Sequence, residues 1–120
     1  MNKKTVLIGA STKPERDAHS AAMMLMEAGN ELVLLGIREG DILGNKIITV
    51  RPEINDVDTI TLYINATNQQ GWYDYMLSLK PKRVIFNPGT ENSELTALLD
   101  NHGIGWENAC TKVLLRLGEY

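Results

Sequence analysis

Short, continuous apolar runs alternate with segments of helical spacing along the whole 120-residue chain. That alternation restricts the fold more than any other feature. Val6-Leu7-Ile8, Leu32-Val33-Leu34-Leu35 and Val84-Ile85-Phe86 lack the in–out period of a half-exposed strand. They suit strands buried on both faces, the condition of a parallel sheet covered by helices. Ile47–Val50, closed by Pro52, reads as a short third strand and Thr59–Ile64 as a fourth, with a further short strand near Trp106.

The intervening segments carry helical signals. The first predicted helix runs from Pro14 to Ala28, with Ser11 or Thr12 as its cap and Gly29 as its stop. Ala18, Ala21, Ala22 and Leu25 keep the spacing of one buried face. Asn68 is the expected cap of a second helix bearing Trp72, Tyr75, Met76 and Leu79, which ends before Pro81. Asn92 or Ser93 caps a third, with Leu95, Leu98 and Leu99 on one face and Gly103 at its end. Val113-Leu114-Leu115 stays open between strand and helix.

Strands alternating with helices imply a mainly parallel sheet wrapped on both faces. Right-handed crossovers then favour a doubly wound, Rossmann-like α/β/α sandwich. The length suits one domain over residues 1–120. Hydrophobic residues make up 43% and charged residues 22%, values that exclude a disordered or fibrous chain.

Twelve basic against fifteen acidic residues give a net charge of −3, which argues against a nucleic-acid partner held by phosphate electrostatics. The apolar run after Lys3 and Lys4 is cut short by Lys13, Glu15, Arg16 and Asp17, so a signal peptide is not expected. No stretch approaches the roughly 20 apolar residues of a spanning helix. Cys110 is the single cysteine, which excludes an intrachain disulfide and a Cys-based zinc cage. A cytoplasmic monomer or small homo-oligomer is expected. His19 and His102 form no metal-ligand motif, and no catalytic triad, close carboxylate pair or P-loop stands out.

In doubly wound sheets ligands bind beyond the carboxyl ends of the strands. The first such loop is Gly9-Ala10-Ser11-Thr12-Lys13-Pro14-Glu15-Arg16. A helix start offers unpartnered N–H groups and a dipole that favours an anion. Gly9 permits close approach, Ser11 and Thr12 offer hydroxyls, and Arg16 adds charge, so the loop suits a pyrophosphate. A tight turn with a hydroxyl cap and a solvated arginine is the plainer alternative. The loop departs from Gly-x-Gly-x-x-Gly, since Ser11 and Pro14 stand where later glycines belong. Gly36-Ile37-Arg38 follows the second strand where a bare ribose wants an acid, and the acid comes only at Glu39. Arg38 suits a phosphorylated ribose, as in NADP or coenzyme A, or is an exposed loop cation. Asn65, Thr67 and Asn68 after the fourth strand are candidate ligand donors or a helix cap. Asn87-Pro88-Gly89-Thr90-Glu91-Asn92 lines the crevice or is turn chemistry. Met23, Met24 and Met26 suit packing.

Ile8–Arg16 resembles the signature opening of the CoA-binding domain family, in particular its small stand-alone bacterial members. These are similar to the CoA-binding domain of the succinyl-CoA synthetase alpha subunit. Gly44, the Phe86–Asn92 loop and Asn108-Ala109-Cys110-Thr111 fit the same family, so the resemblance covers essentially the whole chain. Two segments depart from its pattern. Gly36-Ile37-Arg38 stands where many members have Asn-Pro and a basic residue, and Asn65–Asn68 where many have arginines. The resemblance implies a module that binds coenzyme A or an acyl-CoA without catalysis. Its expected contacts are Gly9, Ala10, Ser11, Thr12, Pro14, Arg16, Gly36, Arg38, Asn65, Asn87, Pro88 and Gly89. Cys110 is placed either to meet the ligand thiol or as a small packed hydrophobe. The alternative is an NADP-dependent small reductase or the nucleotide-binding part of a larger enzyme complex.

Overall fold

The computed structural model describes residues 2–120. Its strands are β1 (Thr5–Ile8), β2 (Leu32–Leu35), β3 (Gly40–Ile42), β4 (Asn45–Ile48), β5 (Thr59–Leu62), β6 (Arg83–Phe86) and β7 (Gly105–Asn108). Its helices are α1 (Asp17–Glu27), α2 (Ala66–Gln69), α3 (Tyr73–Ser78), α4 (Ser93–Asn101) and α5 (Thr111–Leu117), with a 3₁₀ turn at Gln70–Trp72. The strands form one sheet in the order β3-β4-β2-β1-β5-β6-β7. All neighbours are parallel except β3 and β4. The result is the expected Rossmann-like sandwich.

Both faces of the central strands are covered, which is why their sequences are apolar without alternation. On one face Val6, Ile8, Ile60, Leu62, Val84 and Phe86 pack with Met76, Leu95 and Leu99 of α3 and α4. On the other, Leu7 and Leu34 meet Ala18, Ala21, Ala22 and Leu25 of α1, with Leu115 of α5 beside them. The open question at Val113–Leu115 resolves as a helix that packs back against α1. Among the described residues, no helix is long and apolar enough to cross a membrane.

Several element boundaries differ from expectation. Helix α1 starts at Asp17, not Pro14, and its N-cap Arg16 makes no side-chain cap. The Ser11 hydroxyl accepts the Lys13 N–H at 3.1 Å instead, and Arg16 N–H turns back to the Lys13 carbonyl at 3.0 Å. The chain thus makes an extra turn before the helix. Its end is as expected: Gly29 has φ +85°, and the next amide, Asn30 N–H, bonds the Leu25 carbonyl. The Gly-rich segment after β2 holds an unexpected strand, β3. Leu43 and Gly44 both take positive φ and close a two-residue hairpin to β4, and Asp41 Oδ1 accepts the Gly44 N–H at 2.8 Å. The pairing pulls β4 two residues ahead of the predicted start at Ile47. After β5 the cap is Asn65 rather than Asn68; Asn65 Oδ1 accepts the Asn68 N–H at 2.9 Å. The single helix expected there is instead broken by the 3₁₀ turn containing Gly71. Asn92 caps α4 as predicted, accepting from the N–H groups of Glu94 and Leu95.

Candidate functional site

Strand β1 connects to β2 on one side, while β5 lies on its other side, so the strand order reverses between β1 and β5. A crevice of about 910 Å³ opens at this point, beyond the carboxyl ends of the strands. The first loop supplies Gly9–Lys13 and Glu15–Arg16, and the start of α1 supplies Asp17 and Ala18. Gly36–Glu39 after β2 form a second wall, with Ile47 behind them. Tyr63, Ile64, Asn68 and Trp72 after β5, and Pro88 and Thr90 after β6, complete the lining.

Two glycines are required by this geometry. Gly9 takes φ +102°, and its main chain crosses close to that of Tyr63. At Gly36 a Cβ would stand 2.8 Å from the Ala10 carbonyl oxygen and 2.9 Å from a methyl of Ile47. The first loop and the β2 loop are therefore pressed together at a spacing that side chains forbid. The Thr12 methyl packs directly on Gly40, so the β3–β4 hairpin buttresses the same loop.

The N–H groups of Gly9 and Ala10 both donate to the Leu35 carbonyl, at 2.9 and 3.0 Å. Those two residues shape the loop, and their amides are engaged by that carbonyl. Ser11 and Thr12 N–H have no backbone partner among the described residues. The first amides of α1, at Asp17 and Ala18, lack intrahelical acceptors by geometry. Asp17 is held by Lys112 Nζ at 2.8 Å. Arg16 and Arg38 are exposed, and among the described residues neither joins an ion pair. Three lining cations, Lys13, Arg16 and Arg38, face three lining acids, Glu15, Asp17 and Glu39.

Eight of the twelve expected residues line the crevice: Gly9, Ala10, Ser11, Thr12, Arg16, Gly36, Arg38 and Pro88. Pro14 sits exposed in the turn before α1, and Asn65 is the α2 cap. Gly89, at φ +92°, donates its N–H to Glu91 Oε1 at 2.9 Å. Asn87 is buried with its amide fully engaged, donating to Thr61 Oγ1 at 2.7 Å and to the Leu62 carbonyl at 2.9 Å. These four do not line the crevice. Nor does Cys110, which is half-buried at the N-cap of α5.

Sequence reasoning did not single out Tyr63 or Ile64 as lining, and it assigned Trp72 to a helix; Thr90 belongs to the loop it did propose as lining. Trp72 is fixed by Arg51, whose guanidinium lies 3.9 Å above its ring and donates to the Gly71 carbonyl at 2.5 Å. The Tyr63 hydroxyl is buried and makes no hydrogen bond of good geometry, although the Thr111 and Thr61 hydroxyls lie near it. Burial pushes its ionisation well above the ordinary phenol range, outweighing those hydroxyls.

A family model described as CoA binding domain matches residues 3–116. Among solved structures, the crystal structure of an uncharacterized protein is 49% identical, with a TM-score of 0.97, covering 100% of this chain and 99% of that one. A hypothetical protein from Pyrococcus horikoshii is 25% identical with a TM-score of 0.83, covering 97% of this chain and 84% of that one. A conserved hypothetical protein from Pyrococcus furiosus is 25% identical with a TM-score of 0.82, covering 92% and 97% respectively. No curated protein matches the chain.

Proposed function

The chain belongs to the CoA binding domain family, and from that premise we propose that it binds coenzyme A or an acyl-CoA in the switch-point crevice, as a module without catalysis of its own. The observation that carries this reading is the cradle at the first loop. Gly9 and Gly36 bring two main-chain segments together where a Cβ would clash, beside the start of α1. Such a concave backbone surface with spare amides suits a pyrophosphate. Ser11 and Thr12 are the donors in this reading, Gly9, Ala10 and Gly36 set the shape, and Arg16 and Arg38 supply charge to the phosphates. Pro88 forms the far wall. Pro14, Asn65, Asn87 and Gly89 act one step removed, by holding the loops that carry the contacts. The crevice volume lies within the range of small-molecule sites, roughly 300–1,000 Å³.

The lining offers hydroxyls, cations and main-chain groups that suit a phosphorylated ligand. Arg38 gives the second reading its one specific support, because a cation after β2 serves the 2′-phosphate of NADP as well as the 3′-phosphate of CoA. Calorimetric titration with CoA, acetyl-CoA and NADPH separates the two. Binding of CoA or acetyl-CoA with no heat from NADPH is expected. Saturation by NADPH alone, or no binding of any of the three at millimolar ligand, would overturn the proposal. Native mass spectrometry of the purified protein adds the subunit count, expected as monomer or small homo-oligomer.

A further inference from the structure

Gln69 is fully buried at the end of α2, one turn before the crevice residue Trp72. A polar side chain this deep is retained only where each of its groups finds a partner. Its Nε2 donates to the Ile64 carbonyl at 2.9 Å and to the Thr90 carbonyl at 2.7 Å. Its Oε1 accepts from Asn92 Nδ2 at 2.9 Å. Ile64 and Thr90 both line the crevice, one on the loop after β5 and the other on the loop after β6. One amide group therefore bonds directly to a main-chain carbonyl of each of the two loops. Asn92 continues the chain outward to the Tyr73 hydroxyl at 2.9 Å, which also donates to Glu94 Oε1 at 3.0 Å.

From this geometry we infer that Gln69 is a positioning residue that sets the spacing of the Ile64, Trp72 and Thr90 wall against the phosphate-cradling first loop. The inference rests on the CoA-binding reading of the same crevice. Gln69 touches no ligand in this arrangement. It acts through the two carbonyls it holds and through the turn that presents Trp72. Loops that carry contacts need such fixing, because small displacements of a contact surface lower affinity even when every contact residue is intact.

The test uses the full chain carrying Trp106→Phe, which leaves Trp72 as its only tryptophan. Gln69→Met keeps the length of the side chain and removes all three hydrogen bonds. Asn92→Asp keeps the acceptor that caps α4 but sets a carboxylate against Gln69 Oε1, and it serves if Gln69→Met does not fold. Two readouts are taken well below each melting temperature: the CoA dissociation constant, and acrylamide quenching of Trp72 without ligand. The expected result is a CoA affinity about tenfold weaker, the scale of one lost buried hydrogen bond, together with a more accessible Trp72. Folded variants with wild-type affinity and quenching, and only a lower melting temperature, would overturn the inference. If the parent chain fails to bind CoA, the binding reading falls; the quenching of Trp72 still decides whether Gln69 holds the crevice wall.

Discussion

Asn87 and Thr111 are joined across the carboxyl edge of the sheet: Asn87 Oδ1 accepts the Thr111 N–H at 2.9 Å. That amide is the first of α5 and has no intrahelical acceptor. Asn87 also donates to Thr61 Oγ1, and Thr61 and Thr111 share a hydroxyl bond of 2.8 Å. The asparagine thus seats the N-terminus of α5 on the sheet from behind the crevice.

Asn87→Ala leaves the Thr111 N–H and the Leu62 carbonyl buried without this partner. The expected loss is about 2–3 kcal/mol of folding stability, measured by urea unfolding. CoA affinity of the folded variant should stay within about threefold of the parent, about 0.7 kcal/mol, since Asn87 does not line the crevice. A tenfold loss of affinity at unchanged stability would return Asn87 to the ligand.

Gly9→Ala strikes the cradle itself. A Cβ there would lie 2.7 Å from the Tyr63 carbonyl oxygen, on a backbone already at φ +102°. The strain alone is on the order of 1–3 kcal/mol, and relief requires the Tyr63 main chain to move at the switch point. The expected outcome is a lower melting temperature together with loss of CoA binding in calorimetry. Retained wild-type affinity would show that the close approach of these two segments is unrelated to the ligand.

Charge gives an independent check. The lining holds three cations and three acids, so 3 − 3 leaves no net attraction for an anion. Arg16→Ala with Arg38→Ala changes that balance to 1 − 3, a local charge of −2. Wild-type CoA affinity should fall as salt rises, because exposed charges are screened over about 10 Å at 0.1 M. The double variant should bind roughly tenfold more weakly at low salt, a discounted figure for two exposed cations. Its dependence on salt should be lost or reversed, because a lining charge of −2 repels the anion and salt screens that repulsion. An unchanged salt dependence would remove both arginines from the phosphate site.

The layers of the fold were legible because burial on both faces writes unbroken apolar runs, as at Val6–Ile8 and Val84–Phe86. The place of the first loop was legible because Gly9 ends a strand before a helix, although a plain tight turn fitted the same residues. What escaped the sequence depended on long-range partners. Ser11 reads as a helix cap, yet its hydroxyl is taken by Lys13 two residues on. Asn87 reads as a crevice-lining residue or turn chemistry, yet its amide N–H groups go to Thr61 and Leu62 and its oxygen accepts the Thr111 N–H, distant in sequence. Gln69 carries no local signal at all, since its two carbonyl partners lie on different loops. The β3–β4 hairpin was signalled only weakly, by Leu43-Gly44 in place of the usual Asn-Gly.

Alkaline pH supplies the last test. All four tyrosines, Tyr63, Tyr73, Tyr75 and Tyr120, ionise above the ordinary phenol value of about 10, chiefly because burial penalises the phenolate. A folded-state value above the unfolded one means that the native state holds its protons longer. The associated stability is complete below about pH 10 and is lost as pH rises from there through the folded-state values. Tyr63 and Tyr120 dominate, since Tyr73 is only partly buried and its contribution is screened. Tyrosinate absorbance of the native protein should therefore lag that of the urea-unfolded chain, with the missing phenols appearing only as the far-ultraviolet signal collapses. Tyr63→Phe should ease that collapse, because it removes a buried hydroxyl that lacks a well-formed hydrogen bond. Coincident native and unfolded titration curves would show that these phenols are not buried as described.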